Sequence, residues 1–430
     1  MKKTIIKSTL YLIVISFIAK VLSFIVRIIL ARSLSSDAMA IYTLANPTLV
    51  FIITLAQMGI PAALSKVIAS TSNHKKTLRA TVLICIINNL VVASFYIIMI
   101  PFLSNLVFHN TNIRDILYAI LPLIPLVTIS GLLKGYLLGV QKHIRATSSQ
   151  LFEEVARIIF LLYMFSSFNN LDARSMAIIA TISISVGELA SIIAMIFNLK
   201  FTKFIGSFSL NSLYSLNDEY KNILSVAIPM CTSRIIGSLT YFFEPIIMLI
   251  PLSAIASVSM INMYSTLNAY VLPILTMPTF VTITLSNYLL PAFTYAYSRG
   301  NVKAAKKLFK SIVGCCLFIG IITSIICYQF SDELLMLFYK KTTGSELLKY
   351  LAIPFAIYSL QPPLSSILHA LSKSKRSVTD TLIGSIARLV CVVCLYGMFG
   401  VNCLPIALCI GMLITTLLHC FNIYRAANHF

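Results

Sequence analysis

The chain alternates long apolar stretches with short polar loops along its whole length. A membrane-spanning helix needs about 20 mostly apolar residues, and each stretch is long enough for one. Six stretches precede a polar linker at about 200–221 and six follow it. They cover about 8–31, 38–65, 80–108, 116–140, 147–167, 175–199, 222–251, 256–296, 308–330, 347–371, 377–399 and 404–424. The pattern predicts an all-α polytopic membrane protein of about twelve transmembrane helices, with a polar turn near 262–268 in the eighth.

The two halves repeat each other at a nearly constant offset. Pro47-Thr48-Leu49-Val50 recurs 231 positions later as Pro278-Thr279-Phe280-Val281, and Arg157 recurs at the same offset as Arg388. A fixed offset between two apolar halves indicates a duplicated membrane unit, which is the architecture of many secondary transporters. We therefore expect two six-helix lobes, residues 1–205 and 206–430.

The basic residues indicate the orientation of these lobes. Of 33 Lys and Arg residues, 21 fall in the even-numbered loops and at the termini, and only 6 fall in the odd-numbered loops. Cytoplasmic loops carry the excess of Lys and Arg, so both termini are predicted to be cytoplasmic. An even number of spans in each lobe gives the lobes the same orientation, so the repeat is parallel.

Composition narrows the class further. Hydrophobic residues make up 58% and charged residues 11%, far below the roughly 25% charged residues of a soluble domain. The net charge of +20 sits mostly in short loops, which argues against nucleic acid as a partner. The ten cysteines fall almost entirely in apolar runs, where a small apolar filler role is favoured. We find no phosphate-binding loop and no catalytic constellation, and we expect neither an enzyme nor a cofactor.

Charged residues inside the predicted spans are the candidate functional residues, because each costs about 2.5–3.5 kcal/mol at mid-bilayer. Lys20 and Arg27 are seven apart and so share one face of the first helix, with Ser16 and Ser23. This face is interpreted as a cationic stripe in a water-filled cavity. Alternatively, Arg27 reaches the nearby interface and Lys20 pairs with an acid elsewhere.

Other buried charges leave two interpretations open. Arg234 and Glu244 lie on the seventh helix, and Glu244 forms either a gate pair with Arg27 or a structural ion pair. Arg157 has Glu153 and Glu154 at i−4 and i−3, which favours pairing within one helix. Arg388 has no acid at those positions and is the better candidate for contact with substrate or with another helix. Glu188 is either a proton or cation site or half of a buried pair with a neighbouring helix.

Several short motifs resemble those of the stage V sporulation protein B family of polysaccharide exporters. They are Ile29-Leu30-Ala31-Arg32-Ser33-Leu34, Gly59-Ile60-Pro61-Ala62-Ala63-Leu64-Ser65-Lys66, Gly139-Val140-Gln141-Lys142 and Leu285-Ser286-Asn287-Tyr288-Leu289-Leu290-Pro291-Ala292. That family belongs to the multidrug/oligosaccharidyl-lipid/polysaccharide exporter superfamily and is similar to MurJ-type lipid II flippases. MurJ-type flippases have two further C-terminal helices, which twelve predicted spans do not include.

The resemblance implies two lobes that form a V around a central cavity. It implies a flippase in the bacterial plasma membrane that moves an undecaprenyl-pyrophosphate-linked saccharide to the outer leaflet, for spore cortex peptidoglycan. Arg27 and, less closely, Lys20 match the cavity cations of MurJ-type first helices. The predicted substrate-binding residues are thus Lys20, Arg27, Arg234 and Arg388, with Glu188 and Glu244 as coupling or gate residues for a coupling ion. The alternatives are a cation-coupled multidrug and toxin extrusion antiporter, and a membrane scaffold that transports nothing.

Overall fold

The computed structural model describes residues 2–71, 73–107, 111–168, 171–197, 217–249 and 254–427. Throughout these residues the regular structure is helical. The predicted linker and the predicted lobe boundary at 205/206 lie almost entirely outside the described residues. By contacts the chain divides into two compact units, Met1–Ile246 and Ile247–Phe430.

The helices of the first unit follow the predicted apolar stretches. They are α1 (Lys2–Ser33), α2 (Ser36–Gln57), α3 (Ile60–Ser70), α4 (His74–Phe102), α5 (Thr111–Ala119), α6 (Leu123–Gly139), α7 (His143–Ser167), α8 (Ala173–Phe197) and α9 (Asn217–Leu249), the last of which runs into the second unit. Helix α7 packs between α1 and α8, while α6 packs against α2, α3 and α8. The unit is therefore built around α6 and α8, with α1 held on its outside by α7.

The second predicted span breaks at Met58 and Gly59, which both adopt left-handed backbone angles. A side chain on Gly59 would place its Cβ 2.8 Å from the backbone oxygen of Ala227 on α9, so glycine lets these two backbones approach. The carbonyl of Ala56, left open where α2 ends, accepts from the Asn88 side-chain amide at 3.0 Å and from Thr128 Oγ1 at 3.0 Å. The break is thus satisfied by hydrogen bonds from α4 and α6.

The helices of the second unit are shorter at its start. They are α10 (Ala254–Thr266), α11 (Leu272–Thr276), α12 (Thr279–Ser298), α13 (Val302–Gln329), α14 (Ser331–Tyr339), α15 (Ser345–Tyr358), α16 (Gln361–Ala370), α17 (Ser374–Phe399) and α18 (Cys403–Ala427). Helices α17 and α18 form the closest pair, and α15 and α16 pack against α18. The eighth predicted span widens into a π-helical turn at Leu267–Val271 and bends by 54° after Thr276, beyond the predicted turn at 262–268.

The span count agrees with the sequence. Among the described residues nine helical segments are long and apolar enough to cross a membrane, and a tenth is the bent pair Ser257–Thr276 and Thr279–Ser298. The segment Ser374–Ala426 contains both α17 and α18. Helix α7 is 25 residues long but carries Glu153, Glu154 and Arg157, which lower its hydropathy. With these helices counted individually the total is twelve.

Candidate functional site

Helix α1 presents three distinct faces. Ala19, Val26 and Leu30 are buried, in the helix that packs against α7. Lys20 and Arg27 are both exposed and lie on an adjacent face. Because seven residues make almost two full turns, their side chains project in nearly the same direction. The predicted cationic stripe on the first helix is therefore present on its surface.

The third face of α1 is exposed and apolar. It consists of Val14, Ile18, Val21 and Ile25, which are 36–46% exposed. At 3.6 residues per turn this face lies roughly 140° around the helix from the cationic stripe. An apolar exposed face is suited to lipid tails, whereas two cations at this depth need water or an anionic partner. The apolar face of α1 therefore suits lipid tails, whereas its cationic face needs water or an anionic partner.

Three carboxylates and their cations meet inside the first unit. Lys134 on α6 lies between two of them, with its Nζ 3.4 Å from Glu153 Oε2 on α7 and 4.0 Å from Glu188 Oε2 on α8. The lysine therefore joins three helices through one ammonium group. Glu188 is paired with a neighbouring helix, as one of its two interpretations predicted, and this pairing does not exclude a role in coupling.

The third carboxylate connects this cluster to α1. Arg157 Nη1 lies 3.4 Å from Glu154 Oε2, so the predicted pairing within α7 is present for Glu154, while Glu153 turns to Lys134 instead. Ser23 and Lys20 of α1 act on the Glu154 carboxylate, Ser23 through its hydroxyl and Lys20 through its charge. Glu154 is eleven residues from the start of α7, about 16 Å along the helix and near the middle of a bilayer. We call Lys20, Lys134, Glu153, Glu154, Arg157 and Glu188 the first-unit charge cluster; its formal charges cancel.

The cluster is closely packed on its α8 side. A Cβ on Gly187 would stand 2.6 Å from Cγ of Arg157 and 3.0 Å from the backbone oxygen of Glu153. On either side of Glu188 along α8, the hydroxyls of Ser185 and Ser191 are buried and make no hydrogen bond within the part of the chain that the structure describes. The Oε2 atom of Glu188 is likewise without a hydrogen bond there, although Lys134 is 4.0 Å away. Buried oxygens in this state have capacity for a proton or another donor.

The other predicted residues of the first unit lie outside this cluster. Arg234 is exposed on α9, and Glu244 is 3% exposed on the same helix. Helix α9 is held against α2 by stacking of Phe51 on Phe242, with ring centroids 4.9 Å apart. The roles of Arg27, Arg234 and Glu244 in binding or gating stay predictions.

Arg388 belongs to the second unit and is half-buried on α17. A Cβ on Gly411 of α18 would stand 2.8 Å from the Cβ of Arg388. The repeated arginines Arg157 and Arg388 therefore share one feature, a glycine of the following helix packed directly against them.

A second polar centre, which the sequence analysis missed, lies in the second unit. Asp380 on α17 is 3% exposed and His419 on α18 is 2% exposed, and His419 Nδ1 is 2.9 Å from Asp380 Oδ2. Asn422 donates to both oxygens of Asp380, at 2.8 and 2.9 Å. The only sequence signal was one acid and one histidine in neighbouring apolar stretches. The positions are 39 residues apart, so spacing alone could not pair them.

Comparison with known proteins was made on sequence and on structure. The sequence matches the family described as "Polysaccharide biosynthesis protein" over residues 5–296 and the MatE family over residues 238–394. It is 29% identical to the stage V sporulation protein B of Bacillus subtilis (strain 168), over 99% of this chain and 84% of that protein. Over 98% of this chain and 95% of the relative, it is 26% identical to the sporulation protein YkvU of the same organism.

Solved structures share the fold. An inward-closed lipid II flippase MurJ matches with a TM-score of 0.74 at 14% identity, over 96% of this chain and 87% of that one. An inward-facing multidrug resistance MATE family transporter of the MOP superfamily matches with a TM-score of 0.72 at 16% identity, over 95% of both chains. At these identities the likeness establishes the exporter fold alone.

Proposed function

Since the chain belongs to the polysaccharide biosynthesis protein family of membrane transporters, we propose that it flips an undecaprenyl-pyrophosphate-linked saccharide from the inner to the outer leaflet. The relative named stage V sporulation protein B supports a role in supplying a peptidoglycan precursor for the spore cortex. The lipid II flippase among its structural neighbours supports a lipid II-like cargo.

The observation that carries the proposal is the cationic stripe of α1. A pyrophosphate headgroup is anionic, and Lys20 and Arg27 are exposed on a face that does not suit lipid tails. Arginine binds phosphate oxygens with two parallel hydrogen bonds, which suits Arg27 to the headgroup. Lys20 also acts on Glu154, so it connects the headgroup position to the first-unit charge cluster. Arg234 and Arg388 are further proposed contacts for the anionic cargo, and Glu188 and Glu244 are proposed coupling or gate residues.

The sign of the stripe favours this cargo over an organic cation. A toxin-extrusion antiporter needs carboxylates that are open to its substrate, whereas Glu153, Glu154 and Glu188 are already held by Lys134 and Arg157. An organic cation next to Lys20 and Arg27 would be repelled.

The test is a flipping assay in proteoliposomes with a fluorescent polyprenyl-pyrophosphate saccharide. A charge-assisted hydrogen bond contributes about 1.5–3 kcal/mol, so Arg27→Ala should slow flipping about tenfold to a hundredfold. Arg27→Lys should retain part of the rate because it keeps the charge. Val21→Ala is the matched control, since it alters the apolar face of the same helix, and it should flip at the wild-type rate.

Two results would contradict the proposal. If a well-folded Arg27→Ala protein flips the saccharide at the wild-type rate, the cationic stripe is not part of the binding surface. Transport of a cationic dye in place of the saccharide, lost in Glu244→Gln, would identify an antiporter instead.

A further inference from the structure

The polar centre of the second unit has the composition of a proton-binding site. Asp380 accepts hydrogen bonds from His419 and from Asn422, and Arg376 Nη1 donates to Asn422 Oδ1 at 3.1 Å. Histidine is the side chain that ordinarily gains or loses a proton between pH 5 and 8. Both members of the pair are almost completely buried within an apolar segment. Here the charge state of one imidazole decides whether the pair is neutral or carries a net negative charge.

The difference between these states is large inside a membrane. With His419 neutral, Asp380 is a buried carboxylate that accepts hydrogen bonds from His419 and Asn422, and the half-buried cation Arg376 reaches it through Asn422. With His419 protonated, the same place holds an ion pair in hydrogen-bonded contact. Burying an uncompensated charge is far more costly than burying a paired one, so a proton on His419 favours the arrangement in which α17 and α18 are in contact.

Several other titratable or charged residues lie on the helices that pack around His419. From α16, His369 acts on His419 through its charge. On α17, besides Asp380 and Arg376, Lys375 is exposed and Arg388 lies two turns further along. The charged residues of α15 are Glu346 and Lys349, both in its first two turns, and Lys349 pairs with Asp332 at 3.3 Å.

A second histidine lies near this centre on the water-exposed side. His369 is exposed at the end of α16, and its Nδ1 is 3.0 Å from the Ser374 hydroxyl at the start of α17, the helix that carries Asp380.

The internal repeat gives an independent reason to assign a role to His419. At the offset of 231, His419 is the counterpart of Glu188, the carboxylate of the first-unit charge cluster. In the first unit Glu188 faces a permanent cation, Lys134, whereas the counterpart of Lys134 is the uncharged Ser365. Equivalent positions in the two units thus hold titratable groups, Glu188 and His419. The partner of Glu188 is a lysine, whereas His419 and Asp380 form an ion pair when the imidazole is protonated.

We propose that His419 and Asp380 form a proton site in the second unit that couples transport to the proton gradient, in addition to the coupling or gate role proposed for Glu188 and Glu244. This inference rests on the proposed transport function. The proton is taken up on the His419 imidazole, which becomes an imidazolium beside the Asp380 carboxylate, and it is released when α17 and α18 separate. In this proposal the second unit is the part of the chain that responds to the proton gradient.

The proton site can be tested without any substrate. The full-length protein in nanodiscs, with isotope-labelled histidine rings, is titrated by NMR from pH 5 to 9 in potassium and in sodium buffer. One ring resonance should titrate in the wild type and be missing in His419→Gln. Its midpoint should move by about one pH unit or more in Asp380→Asn, because the neighbouring charge is lost. His143→Gln, which removes an exposed histidine at the start of α7, should leave that resonance unchanged.

The coupling role is then tested in proteoliposomes with the fluorescent lipid-linked saccharide. A pH difference across the membrane should accelerate flipping by the wild type, whereas His419→Gln and Asp380→Asn should keep slow flipping without that acceleration. A His419 resonance that does not respond to pH, or that responds to sodium instead, overturns the proton site. If the wild type flips equally fast with and without a pH difference, the coupling role is overturned. An absence of saccharide flipping in the wild type counts against the proposed function, while the NMR titration still decides the proton site.

Discussion

Removing the Lys134 ammonium group should destabilise the first unit more than any other single charge removal in the first-unit charge cluster. Lys134 lies between Glu153 and Glu188, with side chains that are 28%, 16% and 11% exposed respectively. In Lys134→Met the stem of the side chain is preserved, but two carboxylates on adjacent helices are left facing each other. The variant therefore isolates the electrostatic contribution.

The size of the effect follows from the distances. At 3.4 and 4.0 Å, and with an effective dielectric constant of about 20, each attraction amounts to about 4–5 kcal/mol before desolvation is subtracted. Breaking a buried pair by removing one partner typically costs 3–5 kcal/mol. Because Lys134 retains partial contact with solvent, we expect a loss near the lower end, about 3 kcal/mol.

The measurement is thermal unfolding of the purified protein, followed by loss of the monodisperse peak on size-exclusion chromatography. Lys134→Met should melt several degrees below the wild type, and the double variant Lys134→Met/Glu188→Gln should recover part of the difference, since one of the opposed carboxylates is gone. Lys75→Met is the control, because it removes an exposed lysine at the start of α4. If Lys134→Met melts with the wild type, or if the second substitution recovers nothing, the ion-pair reasoning is refuted.

Two further predictions concern packing and pH. Gly187→Ala should lower the melting temperature by a margin equivalent to about 1–3 kcal/mol, because its Cβ would stand 2.6 Å from Arg157 Cγ, and Gly237→Ala, which meets nothing within 4 Å, is the matched control in the same assay. Hydrogen bonds from Ser345 and Lys349 lower the pKa of exposed Asp332 below its ordinary value of 3.8, so its stabilising effect is present at neutral pH and disappears as the pH falls through that lowered value. The wild type and Asp332→Asn should accordingly differ in melting temperature at pH 7 and converge progressively as the pH is lowered below 3.8, and a difference that does not shrink over that range would exclude this cause.

The helical architecture could be predicted from the sequence because hydrophobic length and charge in loops are local signals. The twelve apolar stretches correspond to helices, and the offset of 231 between Arg157 and Arg388 marks equivalent places in α7 and α17. The break at Met58 and Gly59 was not predicted, since it depends on the approach of Ala227 from α9, more than 160 residues away. The predicted polar turn at 262–268 lies before the observed bend after Thr276, which was not predicted.

The candidate site could be predicted only in part. Lys20 and Arg27 were identifiable because their spacing of seven is a property of one helix. The pairing of Glu153 with Lys134 was not, since it requires knowing that α6 and α7 are neighbours and that Glu154 takes Arg157. Local spacing favoured both glutamates as partners of Arg157, and tertiary contact then divided them between two cations.

Both units place carboxylates within apolar helices, but each unit pairs them with a different kind of partner. Each has to keep carboxylates charged within apolar helices. The first unit balances three glutamates against Lys134 and Arg157, with Lys20 of α1 acting on Glu154. The second unit gives Asp380 a histidine, a side chain that ordinarily gains or loses a proton between pH 5 and 8. The duplicated scaffold thus carries an ion-pair cluster in one unit and, by our proposal, a proton site in the other, while the anionic cargo is proposed to contact the cationic stripe of α1.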